Sequence, residues 1–350
     1  MSGVLTFASS TRFTLVGMAL LAVGAALSYE NPAGTPVWVL VVPMMLLAVN
    51  LLLAIINNPA INRRGGLLLF HIGLLGVITL AAVGRLTHMQ AHIELVSGNG
   101  FSSAELFDVT QGPLHTGDVE KIQFVQGSWT VDYRAGMKRG LTLDTISVAD
   151  ENGVWQEQVI GDDRPLLIHG FRIYTTSNKG FAPVLTWQPE RGEAITGAIN
   201  MPSYPINSFR QTNTWTPPGS EAIKFWLNLD TGLNENAAWL LEPARAKAQL
   251  VVNDGDQRVE LNLGDTLALS GGVLRFDSLA SWMGYKVFYD PTLYWLFVSS
   301  VLSVLGMAFH YWKKFSVNPL LMDSIDTGKN ASENNSRVNS TSEYSSEKWV

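Results

Sequence analysis

The sequence predicts a membrane protein with four transmembrane α-helices, three N-terminal and one C-terminal, and a large external all-β sandwich-like domain between helices three and four. Hydrophobic residues make up 47% and charged residues 15% of the 350 positions, a balance typical of a membrane anchor joined to a water-exposed domain. Four apolar stretches are each near the ~20 residues that a helix needs to cross ~30 Å of hydrocarbon. Roughly 200 residues between the last two stretches contain recurring short runs typical of strands.

The four apolar stretches define the expected domain organisation. We predict membrane helices at 13–29, 37–56, 66–84 and 293–311. The chain then divides into a cytoplasmic N-terminus (1–12), a three-helix transmembrane region (13–87), a β-rich domain (88–291), a fourth-helix region (292–314) and a tail (315–350). Ser, Asn, Glu and Thr dominate the tail, so it has almost nothing to bury and is expected to be disordered.

Cations at the ends of the predicted helices indicate the orientation. Five of them fall on one side of the membrane: Arg12, Arg63, Arg64, Lys313 and Lys314. The loop 30–36 between the first two helices carries only an acid. Because positively charged loops are retained in the cytoplasm, we expect both termini inside and the β-rich domain in the periplasm of a bacterial inner membrane.

The β-rich domain is predicted from short apolar or β-branched runs separated by turn residues. Their spacing is typical of a sandwich, and the similarity of 165–174 to 266–276 suggests a duplication and two lobes. The predicted strands are 122–125, 129–133, 141–148, 154–160, 171–176, 183–187, 223–229, 249–252, 258–263, 273–277 and 285–289.

Composition excludes several classes of function. The net charge of −6 gives little support for a basic surface that binds nucleic acid. The absence of cysteine excludes disulfides and thiolate metal sites. No nucleophile, zinc or phosphate-binding motif occurs in a supporting context, so the chain alone is not expected to be catalytic.

His71 is the most informative residue, because it lies in an otherwise uncharged stretch that is long enough to cross the membrane. An ionisable side chain in hydrocarbon is costly and is a candidate functional site. At 1.5 Å per residue, His71 lies roughly 10 Å inside the cytoplasmic edge. A neutral imidazole is a good axial ligand for haem iron. Arg63 and Arg64 lie where haem propionates would emerge, and Asn50 is expected to hydrogen-bond the other ring nitrogen.

One single histidine and one pair of histidines are weaker candidates. His310 ends a stripe of small and polar residues that includes Ser303 and Gly306, a pattern that lets membrane helices pack closely. His88 and His92 would share one helical face and could hold a metal or haem if the third helix continues past Arg85. A solvated helix extension explains that second spacing more simply.

Six segments together resemble the ResB family, also called CcsB, of the system II cytochrome c synthesis machinery. They are NLLL at 50–53, RR at 63–64, LFHIGLL at 69–75, GRL at 84–86, GFRIY at 170–174 and YKVFYDP at 285–291. The likeness extends over residues 13–315. It implies that a ResC or CcsA subunit is the partner and that the two subunits carry haem b across the membrane for attachment to apocytochrome c.

The resemblance also implies a role for His71. It matches the third-helix histidine that binds the membrane-embedded haem, while the opposite ligand belongs to the partner. The chain is then one subunit of a holocytochrome c synthase, or haem lyase, complex. Two alternatives remain open: a membrane-anchored scaffold or sensor whose tail signals inside, and a b-type electron-transfer subunit that uses His71 and His310 within one chain.

Overall fold

A computed structural model describes residues 10–32, 34–150, 153–254 and 257–316. These residues fall into two compact units, a helical unit (Met1–Val83 with Thr292–Val350) and a β domain (Gly84–Pro291). The predicted fold class is confirmed, since four candidate membrane helices flank a domain built from β-sheets. The tail that was expected to be disordered lies, from residue 317 onwards, outside the described residues.

The described residues of the helical unit form four long helices and one short helical turn. All four helices are long and apolar enough to cross a membrane. Polar side chains fix where helices begin: Ser10 Oγ accepts from the Phe13 N–H at 3.3 Å, and Asn58 Oδ1 accepts from the Ala60 N–H at 2.9 Å, as N-caps do. The helices are α1 (Thr11–Glu30), α2 (Trp38–Asn57), α3 (Gly65–Thr87) and α4 (Leu293–Phe315), with the turn Pro59–Asn62 between α2 and α3.

The β domain consists of three antiparallel sheets. One has seven strands in the order β2-β1-β15-β7-β6, with β14 also paired to β15 and β8 to β7; the others are β13-β12-β10-β9 and β11-β3-β4-β5. The strands are β1 (Met89–Val96), β2 (Phe107–Gln111), β3 (Phe124–Arg134), β4 (Lys138–Ala149), β5 (Trp155–Gly161), β6 (Leu166–Ile168), β7 (Phe171–Pro189), β8 (Ile195–Ala198), β9 (Thr212–Trp215), β10 (Ile223–Asp230), β11 (Trp239–Leu241), β12 (Lys247–Asp254), β13 (Gln257–Leu261), β14 (Thr266–Leu269) and β15 (Gly272–Tyr289).

One hydrophobic cluster with members from all three sheets forms the core of the β domain. Its largest members include Trp129, Trp187 and Phe276, all fully buried. The Trp129 indole N–H donates to the Trp282 carbonyl at 3.1 Å, so this large ring is buried without an unmet donor. The bond also connects β3 of one sheet to β15 of another.

Three pairs of predicted strands are single long strands in the structure. The runs 122–125 and 129–133 fall on β3, 171–176 and 183–187 on β7, and 273–277 and 285–289 on β15. The pairing shifts register within β3 between Gln126 and Trp129. A β-bulge of this kind breaks the alternation of side chains without ending the strand, which explains why the sequence pattern predicted two strands.

The two similar segments, 165–174 and 266–276, fold into equivalent hairpins. The turn between β6 and β7 contains Gly170 with φ 83°, and the turn between β14 and β15 contains Gly271 with φ 90°. Each hairpin follows three adjacent antiparallel strands, β3-β4-β5 in one case and β10-β12-β13 in the other. The same strand order therefore occurs twice, while the division into two lobes stays a prediction.

Candidate functional site

His71 lies on α3 with one ring nitrogen engaged by its own helix. Its Nδ1 is 2.7 Å from the carbonyl oxygen of Leu67, one turn earlier. Because a carbonyl can only accept, Nδ1 carries the proton and donates. The lone pair is therefore on Nε2, the atom with which an imidazole can bind a metal when Nδ1 is held by a backbone carbonyl.

The opposite side of α3 packs closely against α4. A Cβ on Gly73 would lie 2.5 Å from the Ser303 backbone nitrogen, and one on Gly306 would lie 2.3 Å from the Phe70 nitrogen. Ser303 Oγ donates to the Phe70 carbonyl at 3.2 Å. The small-residue stripe on the fourth helix is thus a packing seam, in which missing side chains let two backbones approach.

His71 points away from this seam. With 100° of rotation per residue, His71 lies about 150° around α3 from the line joining Gly66 and Gly73. His310 is on the seam side, because a Cβ on Gly66 would lie 2.6 Å from the His310 backbone nitrogen. This arrangement does not bring the two histidines together, so the electron-transfer alternative, which needs both on one haem, receives no support from it.

Asn50 has partners on the first helix, and its predicted hydrogen bond with His71 stays a prediction. Asn50 is 4% exposed, accepts from Thr14 Oγ1 at 2.7 Å and donates to the Ser10 carbonyl at 3.4 Å. It therefore links α2 to the start of α1. The Leu67 carbonyl accepts from His71 Nδ1, since it is on the same helix and already within reach.

Arg63 and Arg64 line a cleft of about 410 Å³ at the beginning of α3 and the end of α4. The other lining residues are Gly65, Gly66, Phe309, His310, Lys313 and Lys314. The structure thus groups the two arginines with the two lysines of α4. Their contact with haem propionates stays a prediction.

The expected helical pairing of His88 and His92 is wrong, because α3 ends at Thr87 and β1 begins at Met89. Residues of β1 alternate between buried and half-buried, the period of a strand with one face in a core. His92 Nδ1 lies 3.9 Å from Asp108 Oδ2, and burial lowers the pKa of His88. In the described part of the chain no group of three His, Asp or Glu side chains is placed to hold a metal ion.

A buried polar centre in the β domain was missed by the sequence reasoning. Asp144 of β4 is completely buried and accepts a hydrogen bond from the Tyr285 hydroxyl of β15. Burial raises the pKa of Asp144 to about 7, although the Tyr285 hydrogen bond opposes the shift. The signal was present: Asp144 occupies an inward position of an alternating strand, between the buried residues Thr142 and Ile146.

Four candidate membrane helices and a β domain inserted before the last of them define a class of membrane-anchored β protein. The chain belongs to the ResB-like family, which matches it over residues 61–317. This membership supports a role in cytochrome c biogenesis.

Comparison with curated proteins finds no match. Among solved structures, a chain titled "Cytochrome c Heme Lyase CcmF" is similar with 11% sequence identity and a TM-score of 0.28. The alignment covers 87% of this chain and 35% of that one, so this chain spans about a third of that protein's length.

Proposed function

We propose that this chain is the ResB-type subunit of a system II cytochrome c synthase and that it binds haem b within the membrane through Nε2 of His71. The observation that carries the proposal is the 2.7 Å contact between His71 Nδ1 and the Leu67 carbonyl oxygen. With Nδ1 held in this way, the lone pair of the neutral imidazole is on Nε2. A neutral imidazole binds haem iron through such a lone pair and needs no charge in a medium of low dielectric constant. Haem is the cargo of the complex.

The second axial ligand comes from a partner subunit in this proposal. The side of α3 opposite His71 is occupied by α4, through contacts such as Gly73 with Ser303. His71 itself is only half-buried, so its face of α3 is open to another chain. A ResC or CcsA subunit is the partner that family membership suggests.

The cation pattern supports an orientation of the chain in the membrane. Arg63 and Arg64 precede α3, and Lys313 and Lys314 end α4, so under the positive-inside rule these ends are cytoplasmic. Haem then binds near the cytoplasmic leaflet, and the β domain lies in the periplasm, where apocytochrome c receives haem. Arg64 is seven residues before His71, or about two turns, so the proposed haem site lies on the arginine side of the membrane.

The test is the absorption spectrum of the chain purified with its partner. We expect a b-type Soret band that weakens several-fold in His71→Ala and recovers when imidazole is added, because free imidazole can occupy the vacated coordination position. His310→Ala is the matched control, since it removes a second membrane-helix imidazole from the other side of the α3–α4 pair. An unchanged band in His71→Ala, or an equal loss in His310→Ala, would exclude the proposal.

A further inference from the structure

The cleft at the start of α3 and the end of α4 concentrates positive charge. Its polar side chains are Arg63, Arg64, Lys313 and Lys314, together with the imidazole of His310. No carboxylate lines it. In the described part of the chain none of these four cations forms an ion pair. Four like charges around one cleft repel one another, and an anion in the cleft would relieve that repulsion.

Simpler roles account for part of this charge. Two lysines in the last turn of α4 interact favourably with the negative end of that helix, and cations beside membrane helices set topology. Neither role requires the arginines before α3 and the lysines of α4 to line the same cleft. The close packing of α3 and α4 brings these two groups together, and the resulting cleft suits an anionic ligand.

The surroundings of the cleft indicate which anion. Both helices are candidate membrane spans, so the cleft lies where hydrocarbon meets water. Trp312 and Phe315, in the same last turns of α4, are 74% and 75% exposed, and aromatic rings favour this level of a bilayer. A ligand that brings an anionic group to this depth and keeps apolar chains in the adjoining hydrocarbon is an anionic phospholipid.

We propose that the cleft formed by Arg63, Arg64, Lys313 and Lys314 binds the phosphate headgroup of an anionic phospholipid. Arginine matches phosphate with two parallel hydrogen bonds, while lysine supplies point charge. Basic pockets between membrane helices are known to bind such headgroups. The site is separate from the haem site, because His71 faces about 150° away from the α4 side of α3, and it does not depend on the proposed function.

The test measures lipid binding by the full-length chain in detergent. The probes are phosphatidylglycerol and cardiolipin, with phosphatidylcholine for comparison, and the variant is Lys313→Gln/Lys314→Gln. We expect its affinity for both anionic lipids to fall about tenfold or more, since each lysine near a membrane contributes ~1 kcal/mol of attraction. Lys138→Gln/Lys224→Gln carries the same charge change on exposed positions of the β domain and should bind as the unmodified chain does.

Further arms separate the proposal from its competitors. Lys313→Arg/Lys314→Arg keeps the charge and should keep lipid binding, which distinguishes lost recognition from misfolding. Equal effects in both glutamine pairs, or equal affinity for phosphatidylcholine, would overturn the proposal. Displacement of the bound lipid by millimolar inorganic phosphate would also overturn it and would assign the cleft to free phosphate. If Lys313→Gln/Lys314→Gln lost haemin binding but kept lipid binding, the cleft would be assigned to haem propionates. The Soret band of His71→Ala tests the haem proposal and has no bearing on this one.

Discussion

The Nδ1 atom of His71 and the carbonyl oxygen of Leu67 are 2.7 Å apart on α3. This contact within one helix turn fixes the tautomer of the ring without help from any other helix. The sequence placed that role on Asn50, which connects α2 with α1. We therefore expect substitutions of Asn50 to affect helix packing and substitutions of His71 to affect haem binding.

Asn50→Ala should destabilise the helical unit and leave haem binding unchanged. Removing the amide leaves Thr14 Oγ1, now 2.7 Å from Asn50 Oδ1, without that partner. The coupling between Asn50→Ala and Thr14→Val in a double-mutant cycle should be about 0.6 kcal/mol and at most ~2 kcal/mol. Thermal unfolding measures the coupling, and the Soret band is the control. A shifted Soret band in Asn50→Ala would instead support the predicted contact with His71.

Gly73→Ala should disrupt the seam between α3 and α4. The added methyl would lie 2.5 Å from the Ser303 backbone nitrogen, so the helices must separate, at a cost of about 1–3 kcal/mol. Gly65→Ala is the matched control on the same helix, because a Cβ there has no heavy atom within 4 Å. Unfolding temperatures of the purified full-length variants compare the two. Equal temperatures would mean that the seam is not closely packed.

Asp144 should make the β domain less stable as pH rises. Its ordinary pKa of 3.8 is raised to about 7 by burial, so between these values the folded state holds a proton that the unfolded state has lost. The contribution of Asp144 to the free energy of unfolding is therefore largest below about pH 4, falls as pH rises to about 7 and is constant above that. The total decrease is at most about 4 kcal/mol.

Asp144→Asn tests this expectation, because the amide stays neutral and its oxygen can still accept from Tyr285. Denaturant unfolding of the β-domain transition in the full-length chain is measured at pH 4.5 and pH 7. We expect the variant to lose most of the difference between the two pH values, whereas Asp132→Asn, at an exposed position, should keep it. A pH dependence that survives in Asp144→Asn would show that another group is responsible.

Features set by local composition could be predicted well. The helices α1 to α4 agree with the predicted spans within four residues at each end, because about 20 consecutive apolar residues have few alternatives to a membrane helix. The runs 141–148, 154–160 and 223–229 lie within or overlap β4, β5 and β10. Of these strands, β10 shows most clearly the period of two that a half-buried strand requires.

Features that depend on contacts with another strand or helix could not be predicted from the sequence. The spacing of His88 and His92 fits a helix, but β15 offers β1 a partner along its whole length, from Met89 to Val96. Those backbone hydrogen bonds decide against the helix. The bulges in β3 and β15 also depend on the paired strand. The alternation of side chains in the sequence therefore predicted two short strands where the structure has one long strand.

The sequence by itself therefore determined the four membrane helices, the β character of the domain between the last two, and His71 as the candidate ligand. Hydrophobicity and side-chain period are local quantities, and a lone imidazole in an apolar stretch is visible without a fold. Only the tertiary structure decided which way His71 faces, what Asn50 bonds, and that Arg63 and Arg64 share a cleft with Lys313 and Lys314. These outcomes depend on how closely two helices approach, which glycines such as Gly73 and Gly306 permit.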